Sequence, residues 1–160
     1  MAQKNLDQNF DKDIVSTSKL YMLRCVIAMA HADGIVTVTM DMAGQSANTR
    51  NARFVPGFGA PGQRLQAEPG LTGVVITSAK KTFFAGGDLH ELLAVEQADE
   101  KFLAFIEANK APLRALEQLP VPVVAAINGA ALGGGWEIGL ACHRRVIVDA
   151  PHAVVGLPEV

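Results

Sequence analysis

The chain has 160 residues, 49% of them hydrophobic and 19% charged, a length and balance suited to one globular domain with a real core. Its formal charge of −2 gives no footprint for nucleic acid or an anionic membrane, although it leaves room for a local basic patch. Cys25 and Cys142 lie far apart and form no CxxC, and His31, His90, His143 and His152 show no metal-ligand spacing, so a reducing compartment and no metal are expected, with one disulfide left open.

Residues 1–18 are polar, charged and without periodicity, and are expected to be loosely ordered. Leu20–Ala30 is an apolar run, ambiguous between helix and strand. It is too short for a bilayer and contains Arg24. It also lacks the basic start of a secretory leader, so the cytoplasm is the expected location. Gly34–Met42 is rich in β-branched residues and predicts a strand. GQSANT (Gly44–Thr49) follows as a turn, in which Asn48 is a candidate cap for a following helix.

Asn51–Pro69 contains Pro56, Pro61, Pro69, Gly57, Gly59 and Gly62. That density of breakers predicts no long helix, at best a turn or two over Gly62–Glu68, and hence a loss of apolar burial on the sheet. Gly73–Ser78 is a continuous apolar run, read as a parallel strand covered on both faces. FFAGGDL (Phe83–Leu89) is a glycine loop leading into a helix from Leu89 to Val95, where Asp88 suits an N-cap. Phe102, Phe105, Ile106, Leu113 and Leu116 continue an apolar helical face, which Pro112 should kink or restart.

Pro122–Glu137 is the most informative stretch. Val123–Ile127 reads as a buried strand and Asn128-Gly129 as a turn. Gly133, Gly134 and Gly135 then open an apolar helical segment, Trp136–Cys142, with Trp136 itself read as core or pocket wall. Glycines at a helix start let a ligand approach the backbone and leave N–H groups pointing outward. Such a place binds anions, including an anion formed only during a reaction. Glu137 lies one turn inside that helix, a candidate acid or base, although the dipole alone would favour a carboxylate there. Arg145–Val148 and Ala153–Gly156 read as short strands. Glu159 in VGLPEV is a second carboxylate, which taken alone is a solvated turn residue. Alternating strands and helices give an α/β class with right-handed crossovers.

FFAGGDL, AAINGAALGGGWEIGLACHRRVIV and GLPEV, in that order, resemble the crotonase (enoyl-CoA hydratase/isomerase) superfamily. The nearest likeness is the N-terminal hydratase domain of multifunctional fatty-acid oxidation alpha subunits. The resemblance implies a ββα superhelix over residues 32–160, incomplete at its C-terminus, after an unassigned segment 1–31. It implies an enzyme of fatty acid β-oxidation that adds water across the double bond of a trans-2-enoyl-CoA. Gly87 and Gly134 match the backbone N–H donors of its oxyanion hole, and Glu137 and Glu159 its acid/base pair. Ala85, Asp88 and Leu89, and to a lesser degree Asn48, match positions that place the CoA. Coenzyme A would enter as part of the substrate, with no separate cofactor. A homo-oligomer or a place in a β-oxidation complex is implied for the complete protein. The alternatives are a Δ3-Δ2 enoyl-CoA isomerase, which needs only the carboxylate at Glu159, and a truncated, non-catalytic fragment. No GxGxxG motif follows a strand, so no nicotinamide-binding domain is expected.

Overall fold

The structure is a computed structural model that describes residues 19–23, 26–30, 33–50, 54, 58, 65–87 and 100–158, with backbone alone for 19–23, 26–30, 101, 102, 105 and 109. The expectations placed on residues 1–18, the helix from Leu89 to Val95, the side chains of Phe102 and Phe105, and the residues Asp88, Leu89 and Glu159 lie outside the described residues.

The ambiguous run near the N-terminus resolves as strand. β1 (Lys19–Leu23) and β2 (Val26–Ala30) form an antiparallel pair, and β2 pairs antiparallel with β3 (Ile35–Met40). From β3 onward the sheet is parallel: β3 with β4 (Gly73–Ser78), β4 with β5 (Val123–Ile127), and β5 with β7 (Arg144–Ile147). The six-stranded order is β1-β2-β3-β4-β5-β7, so the segment before residue 32 extends the same sheet. A second, two-stranded parallel sheet joins β6 (Ala131–Leu132) to β8 (Val155–Gly156). The helices are α1 (Glu100–Glu117) and α2 (Gly134–Ala141).

Alternation along the strands sets which face packs. Val36, Val38 and Met40 of β3, Val74 and Ile76 of β4, and Val123, Ala125 and Ile127 of β5 are all buried in one cluster. Their neighbours Val75, Thr77, Val124 and Ala126 are only half-buried. The parallel strand at Gly73–Ser78 is therefore as expected, but its second face is not fully covered.

One breaker argument needs correction: Phe54 and Phe58 are helical despite the surrounding prolines and glycines, and they are buried in the core with Leu65, while residues 65–67 form the short helical turn expected within Gly62–Glu68. Phe54 stacks on Phe58 with ring centroids 4.9 Å apart and meets Phe84 edge-on at 5.0 Å. Burying those rings outweighs the local propensities, so this stretch does supply apolar burial. Helix α1 runs unbroken through Pro112, so it does not restart there. The proline removes one helical hydrogen bond, but Pro112, Leu116 and Leu119 are buried and Leu113 packs on the core, which holds the helix from the proline onward.

Candidate active site

Three segments meet where the parallel strands end: residues 48–50 after β3, residues 83–87 after β4, and residues 130–137 after β5. Phe83 and Phe84 both donate their N–H to Ala130 O, at 2.9 and 3.1 Å, and Leu132 N donates to Phe84 O at 3.2 Å. Ala85 N donates to Asn48 O and Arg50 N to Gly86 O, each at 2.8 Å. Gly133 N donates to Gly156 O at 2.9 Å, tying β8 to the start of α2. The two glycine loops are thus parts of one scaffold.

Glycine is required at this contact for two reasons. Gly86 has φ +99°, a left-handed conformation, and a Cβ there would stand 3.1 Å from Leu132 O. A Cβ on Gly135 would stand 2.5 Å from Phe84 O, so the helix start can seat against Phe84 only without one. Gly134, Gly135 and Trp136 are the first residues of α2, and Glu137 N is the first to find a helical acceptor, Gly133 O at 3.0 Å. The N–H groups of the first turn have no partner within the helix.

Glu137 stands in that first turn with its side chain 45% exposed. Its Oε2 meets Arg50 Nη1 at 2.9 Å. A Cβ on Gly134 would lie 3.3 Å from Arg50 Nε and 3.7 Å from Glu137 Oε2, so the bare face of Gly134 looks onto both. Sequence reasoning missed Arg50. A lone arginine in a polar turn carries no signal, and its partner is distant in the chain.

Asn48 is fully buried. Oδ1 accepts from Met42 N at 3.0 Å, and Nδ2 donates to Met40 O at 3.2 Å, Ser78 Oγ at 2.9 Å and Phe83 O at 3.4 Å. That side chain is committed to the protein, while its backbone carbonyl accepts from the N–H of the exposed Ala85. Gly87 carries an isolated parallel bridge to Arg50, which places it beside the same loop. Trp136 packs against the core, half-buried. Among the described residues no group of His, Cys, Asp and Glu could hold a metal ion, and no helix is long and apolar enough to cross a membrane.

Comparison with known proteins adds to this geometry. The enoyl-CoA hydratase/isomerase family pattern matches residues 30–160. The fatty acid oxidation complex subunit alpha of Shewanella loihica is 44% identical over 129 residues, covering 80% of this chain and 18% of that protein. The subunit of the same name from Idiomarina loihiensis is 43% identical over 130 residues, again 80% of this chain and 18% of the relative. Among solved structures, an enoyl-CoA hydratase from Geobacillus kaustophilus superposes with a TM-score of 0.78 at 26% identity, covering 89% of this chain and 52% of that one. An enoyl-CoA hydratase from Bacillus anthracis superposes with a TM-score of 0.68 at 27% identity, covering 90% and 51%. The chain therefore spans about a fifth of the curated relatives' length (18%) and about half of the solved structures (52%).

Proposed function

The chain belongs to the enoyl-CoA hydratase/isomerase family, and from that premise we propose that it carries an enoyl-CoA hydratase site of fatty acid β-oxidation. The observation that supports this best is the seating of the α2 N-terminus, with Glu137 one turn in, against the 83–87 glycine loop.

The chemistry follows from the thioester. Water adds to C3 of a trans-2-enoyl-CoA only if the carbonyl oxygen can take on negative charge. In this reading the N–H groups of Gly87 and Gly134 receive that oxygen, a contact that strengthens as charge develops, and losing one such donor costs about a hundred- to a thousandfold in rate. Glu137 takes a proton from water as its oxygen bonds to C3. Glu159 delivers a proton to Cα, so that the double bond becomes a 3-hydroxyacyl thioester with one water added and nothing else consumed. Arg50, on Glu137 Oε2, fixes the direction in which that carboxylate faces. Ala85, Asp88 and Leu89 provide the backbone against which CoA lies, and the protein works in the cytoplasm within an oligomer or a β-oxidation complex.

The ion pair favours a second reading as well. A Glu137 held by Arg50 is less free to serve water, and a Δ3-Δ2 enoyl-CoA isomerase needs only Glu159. Mixing the chain with crotonyl-CoA separates the readings. A hydratase removes the conjugated thioester absorbance and gives a product one water heavier. An isomerase leaves crotonyl-CoA unhydrated and converts a 3-enoyl-CoA into the conjugated 2-enoyl isomer. Neither reaction, from a folded sample, would refute both.

A further inference from the structure

We propose that Arg50 is a positioning residue that divides the work of the two carboxylate oxygens of Glu137, holding Oε2 and leaving Oε1 to take the proton from water. The inference rests on the hydratase reading of the same site. The Arg50 backbone is fixed to the 83–87 loop, its N–H on Gly86 O at 2.8 Å and a parallel bridge joining it to Gly87. Its side chain crosses to the first turn of α2, where Nη1 meets Glu137 Oε2 at 2.9 Å. One residue therefore spans from the loop of one proposed oxyanion donor to the proposed base.

The packing of the guanidinium makes that contact firm. The Arg50 side chain is only 21% exposed, and Nε and Nη2 are buried without an acceptor among the described residues. Nε and Cζ lie 3.3 and 3.4 Å from where a Cβ on Gly134 would stand, so the group is seated against the α2 start. With those donors enclosed, Arg50 acts on Glu137 and not on the substrate. A buried charge depends strongly on the one acceptor it keeps, and here that acceptor is Oε2. Oε1 has no partner among the described residues, and the Glu137 side chain is 45% exposed, which leaves water beside it. Without Arg50, a glutamate so exposed would sample several rotamers, whereas a catalytic group has to stand within about 0.5 Å of its productive place. In the hydration step a proton of water passes to Oε1 as the water oxygen bonds to C3, and Glu159 protonates Cα. Exchange with solvent then restores both carboxyl groups.

The test measures hydration of crotonyl-CoA, and calorimetric binding of the unreactive butyryl-CoA, in the natural chain, Arg50→Met, Glu137→Gln and the double variant. Arg50→Met keeps the length of the side chain and removes its charge. It is expected to lower kcat by about 10²-fold, the cost of a misplaced reacting group, with butyryl-CoA affinity unchanged. In the Glu137→Gln background the same substitution should cost nothing further, because Arg50 acts through that carboxylate. Arg50→Lys can make the same single contact and should regain part of the lost rate. An undiminished kcat in Arg50→Met, an equal loss in both backgrounds, or a matching loss of butyryl-CoA binding would overturn the inference while the hydratase reading stands. No hydration by the folded natural chain would overturn both.

Discussion

Asn48 Nδ2 donates to Ser78 Oγ at 2.9 Å, joining the end of β3 to the end of β4 beneath the candidate site. Ser78 Oγ in turn donates to Thr82 O at 2.8 Å and accepts from Lys80 N at 3.0 Å. The bonds of the Asn48 side chain are buried, where each unmade bond carries its full desolvation cost. Asn48→Ala strands Met42 N–H and is expected to destabilise the chain by about 3 kcal/mol. Urea unfolding should show a lower midpoint with an unchanged slope. Asn48→Asp keeps the acceptor for Met42 N but sets a carboxylate oxygen against Met40 O and Phe83 O, so it should not rescue.

Adjacent glycines should respond in opposite ways. Gly135→Ala drives a methyl group onto the Phe84 backbone, which cannot yield cheaply, and is expected to cost on the order of 3 kcal/mol. The atoms nearest a Cβ on Gly134 belong to the side chains of Arg50 and Glu137, so for Gly134→Ala stability should change by less than about 1 kcal/mol. In the proposed reaction its methyl group stands against the thioester, and turnover should fall by about a hundredfold. Thermal melts and hydratase rates of the two variants check this.

Cys142 gives a pH dependence. Burial pushes its thiol from 9.0 up to about 12, against the smaller opposing pull of the Arg145 charge. The neutral thiol donates to Ile138 O at 3.2 Å. Between those pH values the folded chain keeps a proton that the unfolded chain releases. Its contribution to stability is therefore complete below pH 9.0 and is lost as pH rises towards about 12. Chemical denaturation at stepped alkaline pH should show this decline, and Cys142→Ala should flatten it.

β7 pairs with β5 along one edge, and Val146, Ile147 and Val148 are 62%, 40% and 45% exposed. An apolar edge of that kind promotes self-association. Val146→Lys is expected to lower the aggregate fraction in light scattering at high concentration without shifting the melting temperature downward. An unchanged fraction would assign the association to another surface.

The strands at Val123–Ile127 and Gly73–Ser78 were legible because their β-branched apolar runs are local signals, and so was the α2 start with its glycines. Leu20–Ala30 was not, since the same apolar run suits either element until pairing with β3 selects strand. Phe54 and Phe58 were misjudged because the energy that keeps them helical comes from Phe84, far along the chain. The burial and hydrogen bonds of Asn48 were not legible, since its partners Ser78 and Phe83 are distant in the chain. The Arg50–Glu137 pair was invisible for the same reason.

In the proposed reaction Glu137 and Glu159 act together on an enoyl thioester. The most direct measurement is the loss of conjugated-thioester absorbance with crotonyl-CoA for the natural chain, Glu137→Gln and Glu159→Gln. Each substitution keeps the side chain's size and hydrogen-bonding capacity while removing its proton transfer, and each is expected to slow hydration by about 10²–10⁴-fold with the fold intact. Full hydratase rates in both variants would contradict the account.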